Sequence, residues 1–312
     1  MGKILVIRGG AIGDFILTLP VLAAIKANLP NNRLEVLGSP RIADLAVVGG
    51  LADRVESIES RGVAGFFARN GILNEYYADY FNEFDLIISF LFDPDGFFEQ
   101  NVARCSSAQF IAGPHRPDET ELLHATSCFL KPLERLAIYD ADSTPQLLID
   151  RTENGLASKT KLAMSSGTWL AVHPGSGSAK KNWPETHWQI LLGHLMDETD
   201  CKLLLVGGEA EENRLERLSR SLPVDRFVVA DGVPLPDLAQ LLGMATGFIG
   251  HDSGISHLAA AVGRPGILLW GETSVEIWRP PSLQFELIHN PDGLNRIQPA
   301  ELFDACLNRW LT

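Results

Sequence analysis

The chain has 312 residues, is 46% hydrophobic and 21% charged, and carries a formal charge of −13 at pH 7; this is a globular composition, long enough for two domains. The acidity is shared, with 12 Lys+Arg against 20 Asp+Glu in residues 1–150 and 14 against 19 in residues 151–312, which argues against nonspecific nucleic-acid binding or a polybasic membrane anchor. No stretch approaches the roughly 18 apolar residues of a membrane span, and Cys105, Cys128, Cys201 and Cys306 lack the spacing of a zinc site or disulfide framework, which fits buried thiols in a reducing cytoplasm.

Met1-Gly2-Lys3 runs at once into Ile4-Leu5-Val6-Ile7, which predicts a first strand, Lys3 to Arg8, and not a signal peptide. A helix follows from Asp14 to Asn28, a strand over Arg33 to Leu37, a helix from Ile42 to Gly49 and a short strand over Arg54 to Ile58. The aromatic-rich stretch from Gly62 to Asn82, with Phe66-Phe67, Tyr76-Tyr77 and Tyr80-Phe81, reads as a long helix packed by its rings. A buried strand, Phe84 to Phe90, stops at Asp93-Pro94-Asp95-Gly96. Polar sequence from Thr144 to Gly167 reads as a linker, after which the rhythm restarts. Strands are expected at Trp169 to His173, Lys202 to Val206, Phe227 to Ala230, Gly247 to Ile249 and Gly266 to Trp270, with helices at Glu185 to Met196, Glu209 to Ser221 and Leu235 to Met244. Such alternation builds parallel sheets covered by helices. The expectation is therefore an α/β chain of two Rossmann-like domains facing a central cleft, residues 1–150 and 168–298, with the terminal helix 299–312 packing back on the first.

Three strand-to-helix loops concentrate the chemistry. Gly250-His251-Asp252-Ser253-Gly254-Ile255-Ser256-His257 leads into the Ala-rich stretch before Gly263-Arg264-Pro265. A turn there presents helix N–H groups to an anion. Asp252 and Ser253 are equally good N-cap types for a helix with no ligand. His173-Pro174-Gly175-Ser176-Gly177-Ser178-Ala179-Lys180-Lys181-Asn182-Trp183-Pro184 combines glycines that let a phosphate approach the backbone with a lysine that neutralises its charge. Two such loops in one domain make a case for a diphosphate. Arg8-Gly9-Gly10-Ala11-Ile12-Gly13-Asp14 is not G-x-G-x-x-G, and only Glu35 is near a ribose position, so a nicotinamide enzyme is weakly supported. Asp14 is either a dipole-stabilising first-turn carboxylate or a general base. Arg8 is open to two roles, facing an acceptor or pairing with Asp14. Trp183 and Trp188 are expected as core anchors, and His173 as a support for the glycine loop.

Lys3 to Pro20, His173 to Pro184, Val206-Gly207-Gly208-Glu209 and Gly250 to Gly271 with Trp278 together resemble glycosyltransferase family 9, the ADP-heptose:lipopolysaccharide heptosyltransferases. The resemblance covers nearly the whole chain in order. It implies a GT-B fold, with the sugar-nucleotide donor on the second domain and the acceptor on the first, inversion at the anomeric carbon, and no required metal or cofactor. By position it makes Asp14 the catalytic base and assigns Lys181, with Ser176 and Gly177, to the donor phosphates. Asp252, Ser253, Gly254 and His257 match the family's D-[ST]-G-x-x-H. Glu212, with Glu209 and Glu211 close behind, is the expected ribose contact. The chain departs in having Ser253 where Thr is usual and Gly271-Glu272-Thr273 in place of Gly-Pro-Thr. For the acceptor it offers Arg8, Arg61, Arg104 and Arg116, with Arg69 and Lys131 also isolated, instead of a dense basic cluster.

The reading that follows is an inverting, metal-independent transferase moving a sugar, heptose from ADP-heptose, to a lipopolysaccharide core or related glycan. Its partners would be the nucleotide-sugar donor and a glycan or lipid-linked glycan, with no nucleic acid. It would be cytoplasmic, with at most peripheral contact at the inner face of the inner membrane. Two alternatives share the anion loops: a nucleotide-sugar epimerase, which would consume donor without acceptor, and a non-catalytic nucleotide-binding protein, which would not turn over.

Overall fold

The computed structural model describes residues 2–149, 164, 166–208 and 212–311. The chain divides into two compact units, Met1–Pro145 and Gln146–Thr312. Most of the stretch read as a linker lies outside the described residues.

In the first unit β1 (Lys3–Arg8), β2 (Arg33–Gly38), β3 (Arg54–Ser57), β4 (Leu86–Ser89) and β5 (Gln109–Ala112) form one sheet in the order β3-β2-β1-β4-β5. Every pairing is parallel, and β1 runs in register with β2 from Lys3↔Arg33 to Arg8↔Gly38. The near-continuous apolar run Ile4 to Ile7 is what a strand covered on both faces requires. Leu5 and Ile7 join Leu37, Phe66, Phe81 and Phe98 in one core. Each such side chain stabilises by roughly 1.5–3 kcal/mol.

The expected single helix from Asp14 to Asn28 is two, Ile12–Ile16 and Leu19–Asn28. Pro20 has no N–H to offer the Ile16 carbonyl, and Thr18 N turns to Phe15 O, leaving the Asp14 carbonyl to the Thr18 hydroxyl at 2.8 Å. The long aromatic helix is also absent. Its sequence forms a 3-10 turn, Arg61–Phe67, and a separate helix, Glu75–Asn82, capped by Asn74. Between them the backbone crosses itself so closely that a Cβ on Gly65 would meet Ile72 O at 2.1 Å and one on Gly71 would meet Gly65 O at 1.9 Å.

The second unit holds β6 (Trp169–Val172), β7 (Lys202–Gly207), β8 (Phe227–Asp231), β9 (Gly247–His251), β10 (Gly266–Trp270) and β11 (Phe285–His289), ordered β11-β10-β9-β6-β7-β8 and parallel throughout. Trp183, Trp188, Leu191 and Leu205 anchor its core. The terminal helix, Pro299–Cys306, packs within the second unit. Leu302, Phe303 and Cys306 are buried in the second core, against the helix Glu185–Glu198, where Phe303 meets the His194 ring. The apolar face of this helix is thus consumed within its own unit. Among the described residues no helix is long and apolar enough to cross a membrane.

Candidate active site

In an open parallel sheet a ligand crevice forms where the strand order reverses, beyond the carboxyl ends of the two strands that flank the reversal. In the first sheet those strands are β1 and β4, and in the second they are β6 and β9. All three loops singled out from the sequence leave these strands.

After β1, Gly10 has φ +102°, and a Cβ there would lie 2.8 Å from Asp14 Oδ2. Glycine is therefore demanded twice, by backbone conformation and by the approach of the carboxylate. Asp14 accepts from Ala11 N at 3.1 Å, and its Oδ1 lies 3.7 Å from Arg8 Nη2. Arg8 is buried, at 3% exposure, while Asp14 retains 32%. The guanidinium donates to His115 O at 2.9 Å, Phe90 O at 3.3 Å and Asp14 O at 3.4 Å, and it stacks 4.5 Å from the Phe129 ring. Burial pulls its pKa down to about 10, against the opposing pull of Asp14. Of its two possible roles, pairing with Asp14 is the one the structure records. Arg104 donates to Gly71 O and Asn101 Oδ1, both at 2.8 Å, and Arg116 pairs with Glu119 at 3.4 Å. Arg61 opens its 3-10 turn on the exposed surface. Glu35 is buried between Arg33, Arg54 and the Tyr80 hydroxyl, which removes it as a ribose partner.

In the second unit the β6 and β9 loops meet. Lys181 Nζ reaches Asp252 Oδ2 at 2.5 Å. Ser253 caps the helix Gly254–Ala261 through Ser256 N, and its Oγ lies 3.3 Å from His173 Nδ1 and 3.1 Å from Ser256 Oγ. Ser176 is buried; its Oγ lies 2.8 Å from both Ser178 O and Asn182 Oδ1, with one proton to share between them, and accepts from Ser178 N, so in this structure the hydroxyl braces its own loop. Gly177 lies on the exposed crest, with open space where a Cβ would be. His257 is buried one turn into the helix. Of Glu212 only the backbone is described, as the first residue of the helix Glu212–Ser219; Glu209 and Glu211 lie outside the described residues. Trp183 and Trp188 pack edge to face at 5.1 Å and serve as core, with Trp183 Nε1 bound to Ile297 O.

Two residues that hold the glycine-rich loop, one from the helix Glu212–Ser219 and one from the end of β9, were not singled out from the sequence. Arg214 donates to Pro174 O at 2.9 Å. His251 accepts from Trp183 N at 2.9 Å through Nε2, and its Nδ1 faces Gly175 O at 3.3 Å. Burial first, then nearby Arg214, lowers the His173 pKa to about 4; burial first, then His173, lowers that of His251 to about 3. Both are neutral at pH 7. The position of His251, last in a strand and first in a polar run, was the one available signal for its role. Chemically, the second unit offers an exposed cation and a helix N-terminus to an anion, and the first a partly exposed carboxylate to a proton.

A family profile described as glycosyltransferase family 9 (heptosyltransferase) matches residues 117–295. Lipopolysaccharide heptosyltransferase 3 of Escherichia coli is 23% identical over 295 residues, covering 86% of this chain and 83% of its own. A family 9 glycosyltransferase of Veillonella parvula superposes with a TM-score of 0.80 at 16% identity, covering 98% of this chain and 96% of the other. Escherichia coli heptosyltransferase WaaC with ADP-2-deoxy-2-fluoro heptose gives 0.73 at 19% identity, covering 98% and 99%. At such identities the structural likeness speaks for the fold, two parallel α/β sheets of the GT-B kind. With more than half of its length matched by the profile, this chain belongs to glycosyltransferase family 9, the heptosyltransferase family.

Proposed function

We propose that the chain transfers heptose from ADP-heptose to a lipopolysaccharide core or related glycan, with inversion and without a metal ion. The observation that carries this reading is the meeting of Lys181, Asp252 and the N-terminus of Gly254–Ala261 at the β6/β9 reversal. Lys181 and the N–H groups of that first turn bind the diphosphate and stabilise the charge that builds on it as ADP leaves. Preorganised groups of this kind contribute about 3–4 kcal/mol each. Asp14 takes the proton of an acceptor hydroxyl as its oxygen bonds to the anomeric carbon, while the bond from that carbon to the diphosphate oxygen breaks and ADP keeps the electron pair. Asp252 holds Lys181 in place of a phosphate until donor binds, and Glu212 is offered for the ribose. Arg61, Arg104 and Arg116 are offered for anionic groups of the acceptor, although Arg104 and Arg116 must first leave their present partners. A cytoplasmic location with peripheral contact at the inner membrane suits a lipid-linked acceptor.

Calorimetric titration with ADP, UDP, GDP and dTDP tests the donor, and ADP is expected to bind tightest. Mass analysis of lipopolysaccharide from a deletion strain should show the core short by one heptose, restored by the intact gene. Consumption of ADP-heptose at the same rate with and without acceptor would instead identify an epimerase.

A further inference from the structure

The side chain of His251 touches both exits of the glycine-rich loop. Trp183 N–H donates to Nε2, so the neutral ring carries its proton on Nδ1 and donates it to Gly175 O. Between these two anchors lies the stretch 176–182, with Ser176, Gly177 and Lys181. The next residue in the chain, Asp252, receives Lys181. One strand end therefore fixes both members of the ion pair, one through its side chain and the other through its backbone.

We propose that His251 is a positioning residue that sets the height of Lys181 against Asp252, so that the lysine meets the donor diphosphate; the inference rests on the donor-site reading above. Packing alone does not call for imidazole here. The ring is fully buried, edge-on to Trp188 at 5.4 Å, where an aliphatic side chain would fill the space without burying polar atoms. What an aliphatic group cannot do is satisfy Gly175 O and Trp183 N together. The Trp183 anchor is itself held, by Ile297 O and Trp188. Neutrality is required as well, since a proton on Nε2 would oppose the Trp183 N–H. Burial keeps the ring neutral far below pH 7.

Two substitutions separate the two bonds. In His251→Asn the amide NH2 lies near the place of Nδ1 and keeps the bond to Gly175 O; in His251→Gln the amide oxygen reaches the place of Nε2 and keeps the bond from Trp183 N. ADP is titrated calorimetrically into the wild type, both variants, Lys181→Ala and each double variant, with melting temperatures taken in parallel. Each His251 variant should weaken ADP binding roughly three- to tenfold when Lys181 is present and less than about twofold when it is alanine. Equal loss in both backgrounds, or no loss in either, overturns the positioning role and leaves the donor site standing. If Lys181→Ala binds ADP as the wild type does, the donor-site reading fails and this inference fails with it.

Discussion

In the first unit the charge that organises the loop is buried and the group that would react is near the surface: Arg8 is sealed beneath Asp14 and spends its donors on three carbonyls. In the second unit the buried histidines, His173 and His251, are neutral, and the cation, Lys181, is half-exposed and paired with the largely buried Asp252. A buried cation with one nearby carboxylate ties that carboxylate to a single direction, which suits a base. A neutral scaffold leaves its surface cation able to exchange one anion for another, which suits a binding clamp. On the proposed function, the same strand reversal would serve proton transfer in one unit and anion capture in the other, according to where the charge is placed.

Asp14→Ala cuts deepest into that contrast. Transfer should fall by about 10²- to 10⁴-fold while ADP affinity stays nearly unchanged; a variant that keeps a tenth of the turnover would show that Asp14 is not the base. Arg8→Met asks whether the buried cation also holds the unit together. It strands Phe90 O, His115 O and the carboxylate, so denaturant unfolding should register a loss of about 2–4 kcal/mol, with transfer reduced as well. Unchanged stability would mean that the burial of Arg8 contributes nothing to the fold. Lys181→Ala should weaken ADP binding by roughly 10- to 100-fold, because it removes a cation and leaves Asp252 facing the diphosphate. An equally tight titration curve would relocate the clamp.

The fourth prediction concerns acid. His173 and His251 stay neutral in the folded protein down to about pH 4 and 3, whereas their ordinary value is 6.5. Unfolding therefore takes up protons below that value. The stability from neutral burial is fully present above about pH 6.5 and is lost as pH falls toward 4, at up to about 1.4 kcal/mol per pH unit for each ring. Denaturant curves between about pH 7 and 5 should show this slope, reduced by one proton in His251→Asn. A slope identical in that variant would mean that His251 does not titrate as described.

Most central strands were readable because apolar runs such as Ile4 to Ile7 and Leu203 to Val206 have one interpretation once helices alternate with them. The edge strands β5 and β11 escaped. Gln109, Glu286 and the exposed positions around them dilute the apolar signal on strands that have a paired neighbour on one side only. The long aromatic helix was misread because helical spacing of rings says nothing about Gly65 and Gly71, whose close approach depends on the fold. In the site, Lys181 and Asp252 were legible one by one, but their contact joins residues 71 positions apart. His251 was invisible as a functional residue because its importance lies in two main-chain groups, which look alike in every sequence.

The strand order also bears on how the protein is made. β1 sits beside β4, with Arg8 and Phe90 82 residues apart in the chain, and β6 beside β9, with Trp169 and Thr246 separated by 77. On the ribosome each founding strand must wait for its late neighbour before the reversal point exists, and such long-range parallel pairing is intrinsically slow. Neither reversal point exists until the last of its two strands has emerged, so each loop takes its final setting late in the synthesis of its unit.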